Sequence, residues 1–145
     1  MSHHSRGVIQ WRLHLPVAPE MVFEALDSEA GRAAFWAESA PERDGGIHFQ
    51  FIDGQQYSAR ILQREPPHVW SIEYFGGTAR FVLAPDGQGG TDLTLNFDGG
   101  EEAQWHQNYA GWLNVLYPLK AWVVFGVDLR NHDPARTWAR GFIDQ

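Results

Sequence analysis

The 145-residue chain has no cysteine, which excludes disulfide staples, thiolate metal sites and thiol nucleophiles. It also has no apolar run near the roughly 20 residues needed to span a bilayer. The opening "MSHHSRGVIQW" holds no apolar stretch of signal-peptide length, so the expectation is a soluble, cytoplasmic protein without a membrane role. Basic charge is scarce: 11 Lys and Arg stand against 18 Asp and Glu, a formal net charge of -7. That balance argues against phosphate-backbone binding, and nucleic acid is not an expected partner. No internal repeat, low-complexity tract, GxSxG, phosphate loop or dinucleotide fingerprint is present, and the Gly-rich "DGQGGT" precedes a strand rather than a helix. His132 with Asp128 and Asp133 could be drawn as a metal cluster, but no second His group of suitable spacing supports it. No metal and no cofactor are expected.

What the chain has in abundance is aromatic surface: 7 Trp, 9 Phe and 4 Tyr. Large flat groups with few rotamers supply much buried area and are readily shaped around a void. In residues 8–17, Ile9, Trp11, Leu13 and Leu15 alternate with Gln10, Arg12 and His14, the period of a half-buried strand. Two short helices follow, one carrying Val22, Phe23 and Leu26, the next Ala33, Phe35 and Trp36. From 46 to 97 the text is strand and turn: 46–52, 56–65, 68–75, 78–84 and 91–97, broken at Asp53-Gly54, Pro66-Pro67, Gly76-Gly77 and "PDGQGG". Short connections imply an antiparallel meander, so the fold class is α+β with a curved sheet of about six strands. One parity is apolar: Ile47, Phe49 and Phe51; Ala59 and Ile61; Trp70, Ile72 and Tyr74; Ala79, Phe81 and Leu83; Leu93, Leu95 and Phe97. Leu62 and Val82 interrupt the polar parity. Gln63 and Glu65 continue the inward parity beyond Ile61, but so near the strand end that they are expected to face water.

The dry face needs a cover. Trp105, Tyr109, Trp112, Leu116, Leu119 and Val123, spaced 4, 3, 4, 3, 4, make one stripe of a long helix over 101–125. Pro118 lies inside it and costs about 3 kcal/mol in a straight helix, so a bend is expected there. Gly111 weakens the helix by roughly 1 kcal/mol. Residues 1–7 read as disordered, 8–125 as one domain, and 126–145 as a tail packed on that domain or on a second copy in a homodimer. Gly126 reads as the helix stop.

The order of elements resembles the helix-grip fold of the START (SRPBCC) superfamily. "VAPEMVFEAL", "FW", "REPPHVW", "GGTDLTLNF" and "GWLNVLYPLK" resemble the branch of activators of the heat-shock protein 90 ATPase, with Pro118 a departure from it. The resemblance implies an apolar cavity between sheet and long helix, binding of lipids, sterols, polyketides or hormones in many members, and cyclase or hydratase activity in some. The stripe residues name the expected wall: Trp11, Phe49, Phe51, Ile61, Trp70, Ile72 and Tyr74 from the first strands, then Phe81, Leu95 and Phe97, with Trp105, Tyr109, Trp112 and Leu116 from the helix. Few inward groups titrate beyond the Tyr74 and Tyr109 hydroxyls, which weighs against catalysis. The leading expectation is a binder of a small apolar or aromatic molecule. The alternatives are a protein-interaction module, whose chaperone partner is implied by the resemblance alone, and a cyclase- or hydratase-type enzyme.

Overall fold

A computed structural model describes residues 7–145, so most of the expected disordered N-terminus lies outside the described residues. Strand β1 (Ile9–Leu15) leads into helices α1 (Pro19–Asp27) and α2 (Glu29–Phe35). The meander follows: β2 (Glu42–Arg43), β3 (Gly46–Gln50), β4 (Gln56–Glu65), β5 (Val69–Tyr74), β6 (Gly77–Pro85) and β7 (Thr91–Gly99). Helices α3 (Trp105–Gly111) and α4 (Leu113–Phe125) close the domain. All pairings are antiparallel in the order β1-β7-β6-β5-β4-β3-β2, so the first strand joins the last and the hairpins run outward from there. The seventh strand is the two-residue β2, too short for any periodicity to reveal.

Alternation fixes the layers. Ala79, Phe81 and Leu83 of β6 and Leu93, Leu95 and Phe97 of β7 are buried, against polar neighbours of the opposite parity. In β4 the register slips between Ile61 and Gln63, leaving Leu62 as the extra residue of a bulge and half exposed. The bulge reverses parity beyond it. Gln63 and Glu65 therefore pair with Ser71 and Val69, on the solvent-side parity, and not inward; Arg64 instead shares the face of Trp70.

The expected long helix is present, but its break falls at Gly111–Trp112 and not at Pro118, which sits buried inside α4. Glycine makes a break cheap at the joint, while burial of Val115, Leu116, Pro118 and Leu119 holds α4 together across the costlier proline. Gly126, at φ 68°, ends α4 in the left-handed conformation that a Cβ disfavours.

The core is continuous from α1 through the sheet to α4. Trp36, at the end of α2, is its hub: its ring centroid lies 4.9 Å from Phe49, 5.5 Å from Tyr74, 5.9 Å from Phe81 and 6.0 Å from both Trp70 and Trp112. Two guanidinium groups are buried nearby. Arg32 donates to the carbonyls of Leu26 and Ala40, closing the helical layer on itself. Arg130, from the tail, donates to the carbonyls of Ala33 and Ala37 and pairs with Asp128 at 2.9 Å. The tail thus folds back over α2 of its own domain. Among the described residues no helix is long and apolar enough to cross a membrane.

Candidate functional site

The helical layer does not press evenly on the sheet. α4 and Trp112 do, with Trp112, Val115, Leu116, Leu119, Ala121 and Val123 buried, whereas α3 has no buried residue. Between α3 and the β5–β6 end of the sheet lies a cleft of about 880 Å³, with a lobe of about 310 Å³ beside it. Tyr57, Tyr74, Phe75, Phe97, Trp112 and Trp138 wall the main cleft with rings. Gln55, Gln104, Gln107 and Asn108 supply neutral amides, and Glu101 a carboxylate.

Each wall has a local cause. β5 and β6 are joined by a two-residue turn at Phe75–Gly76, both with positive φ (46° and 85°), one position earlier than the expected Gly76-Gly77 turn. Such primed turns suit the sheet twist but disfavour a bulky first residue. Phe75 is held by stacking on Tyr57, centroids 4.0 Å apart, and by an edge contact with Tyr74 at 4.8 Å. Gly77 is freed from the turn for another reason: a Cβ there would meet the Phe97 ring at 2.5 Å. Backbone strain placed beside a cleft is a recognised mark of a working site.

The hydroxyls of the site stay protonated. Burial pushes Tyr74 up, with the hydrogen bond from Trp36 Nε1 at 3.1 Å opposing it. Burial also raises Tyr57, reinforced by its donation to the Glu73 carboxylate, which accepts the Gly76 amide as well at 3.1 Å. Both phenols are therefore donors at neutral pH rather than bases. Among the described residues no three His, Cys, Asp or Glu side chains are grouped to hold a metal ion. His132 instead bridges Glu38 and Asp128 at 2.6 and 2.7 Å, while Asp133 faces Arg136 and the amide of Ala135.

The fourteen wall residues expected from the stripes divide into three groups. Tyr74, Phe97, Trp112 and, in the lobe, Phe51 border open space. Phe49, Trp70, Ile72, Phe81, Leu95 and Leu116 are core, and Ile61 is half-buried against it; Trp36 fills the space a central cavity would need. Trp11 and Trp105, half-buried against the core, form a ring stack with the exposed Tyr109, away from the cleft. Trp105 lies 4.7 Å over Tyr109 and Tyr109 4.4 Å from Trp11, whose Nε1 donates to the Tyr109 carbonyl. The stripe identified Tyr74, Phe97 and Trp112 but missed Tyr57, Phe75 and Trp138. Tyr57 shares the parity of Ala59 and Ile61 and was within reach of the pattern. Phe75 was hidden in a turn, and Trp138, tied to Gln107 by its Nε1 at 3.0 Å, comes from a tail with no periodicity.

No protein-family model matches the chain, and neither does any curated protein. Solved structures do match. A protein of Staphylococcus saprophyticus superposes with TM-score 0.73 at 22% identity, over 85% of this chain and 96% of that one. The Aha1 dimer of Colwellia psychrerythraea gives 0.73 at 17%, over 82% and 97%. The fold is a helix-grip fold of the START type. DynU16, from the dynemicin biosynthetic locus, gives 0.71 at 20% over 84% of this chain but 49% of its own. These helix-grip neighbours share the sheet and its helical cover at identities that speak to architecture alone.

Proposed function

We propose that the protein binds a small, largely apolar aromatic molecule in the cleft between α3 and the β5–β6 end of the sheet, without chemistry of its own. The observation that carries this reading is the cleft itself, of ligand size and walled by six rings, at the one end of a well-packed core where the helical layer stands off the sheet. Affinity would come from apolar burial at about 25 cal/mol per Å², before the entropy of association, with the amides of Gln104, Gln107 and Asn108 orienting a polar group. Both phenols are protonated, which argues for a binder over a base catalyst. A second reading, a protein-interaction module such as the Aha1 dimer suggests, has exposed apolar side chains in its favour: Tyr117, Phe125 and Ile143.

Gly111 supplies the test. It borders the cleft, and a Cβ added there meets nothing within 4 Å, so Gly111→Phe sets a bulky ring at the cleft border from a position with free space. The neutral fluorophore N-phenyl-1-naphthylamine should bind the parent chain at micromolar concentration and the Gly111→Phe chain at least about tenfold more weakly, with no loss of melting temperature. Equal binding to both chains, or none to the parent, refutes the assignment.

A further inference from the structure

The cleft is built of rings and acids. Among the described residues bordering it and its lobe there is no Lys, Arg or His, while Glu101 borders the cleft and Asp53 the lobe. A third carboxylate, Glu73, sits behind the wall and fixes the Tyr57 hydroxyl and the Gly76 amide. Six of the bordering side chains are aromatic, Tyr57, Tyr74, Phe75, Phe97, Trp112 and Trp138, and the negative faces of such rings attract positive charge.

Resting on the ligand-binding reading above, we infer that the cleft selects planar aromatic cations over neutral and anionic molecules of the same shape. An anionic ligand would lose its hydration with no cation to replace it and would meet the field of Glu101 and Glu73. A neutral ring gains the apolar contact alone. A cationic ring gains the same contact, the quadrupoles of the walls and the attraction of the rim carboxylate, which is exposed and therefore screened by salt. The chain's net charge of -7 acts in the same direction at long range. A fatty acid or other carboxylate is the ligand class this wall rejects.

Three near-isosteres separate the terms: 1-methylquinolinium, 1-methylnaphthalene and 1-naphthoate, each used to displace N-phenyl-1-naphthylamine from the intact chain at about 20 mM and 500 mM salt. At low salt the cation should displace the probe at a concentration severalfold below the neutral ring and at least about tenfold below the anion. High salt and Glu101→Gln should each narrow the gap between cation and anion; Glu101 is an exposed, extended residue whose side chain makes no capping bond to the helical turn after it, so the substitution should leave the fold intact. Probe displacement by the neutral ring at equal or lower concentration than the cation overturns the charge selectivity while leaving the ligand site standing. Tighter binding of naphthoate does the same, as does a cation preference untouched by Glu101→Gln and by salt. Failure of the probe itself to bind removes the site, and the selectivity with it.

Discussion

Helices α3 and α4 are written in one stripe yet live in different surroundings. The stripe Trp105, Tyr109, Trp112, Leu116, Leu119, Val123 runs unbroken, but only its last four residues are buried, Trp105 packing half-buried against the core's edge; Tyr109 is 36% exposed and Trp112 4%. Spacing decides which side of a helix faces inward. It does not decide what lies opposite. α4 meets the sheet and Trp36, while α3 overhangs the cleft and turns Trp105 and Tyr109 toward Trp11 at the β1 edge. The ligand-sized space exists because the cover is anchored over half its length.

The sharpest way to break the comparison is to truncate one ring from each half. Trp112→Ala removes a buried ring in contact with Trp36, Tyr74 and Phe97 and should destabilise by about 3–5 kcal/mol in denaturant unfolding. Trp105→Ala removes half-buried stacking on Tyr109 and should destabilise by about 1 kcal/mol. Equal losses would mean that α3 is as much a part of the core as α4.

That contrast also marks what the sequence could disclose. The sheet was legible because period-two alternation in β6 and β7 has one physical cause, a single dry face. The helix stop at Gly126 was legible from glycine's tolerance of positive φ. The bulge at Leu62 was visible as an apolar residue on the wrong parity, and the outward turn of Gln63 and Glu65 was expected from their place at a strand end, but its cause, and the turn of Arg64 toward Asp27 and Glu42, needed the register. The site was half legible. Tyr74, Phe97 and Trp112 follow from periodicity; Trp36 as the plug and Trp138 as a wall depend on contacts between distant segments, which no local pattern encodes.

A smaller effect is expected at the joint between the two halves. Gly111 adopts a conformation open to other residues and has free space at its Cβ position, so Gly111→Ala should stabilise by about 0.5–1 kcal/mol while stiffening the passage from α3 to α4. Thermal unfolding checks the gain. A loss of stability would show that the break is required by packing and is not merely permitted by glycine.

The smallest expected effect concerns the tail that carries Trp138 to the α3 end. His132 lies within hydrogen-bond reach of carboxylates through both ring nitrogens, Glu38 on one side and Asp128 on the other, an arrangement that favours the protonated ring, whose two nitrogens both donate. The bond to Asp128 raises its pKa, with partial burial opposing and Glu38 adding to the rise. For Asp128 burial acts upward, but hydrogen bonds from Arg130 and His132 overcome it and hold the carboxyl at about 2. A group with a raised folded pKa contributes its full stabilisation below the ordinary imidazole value of about 6.5 and loses it as pH climbs through the raised one. The Asp128 contribution runs oppositely: it is present above about 4 and disappears as pH falls toward 2. His132 is itself at φ 55°, so His132→Asn keeps a side chain that tolerates this backbone while removing the charge. The parent chain should therefore melt above the His132→Asn chain near pH 6 and converge with it in mildly alkaline buffer, by a modest margin because the pair is partly exposed and screened. Parallel curves from pH 6 to pH 9 would show that the His132 ion pairs do not help to hold the tail, leaving that to Arg130 and Trp138.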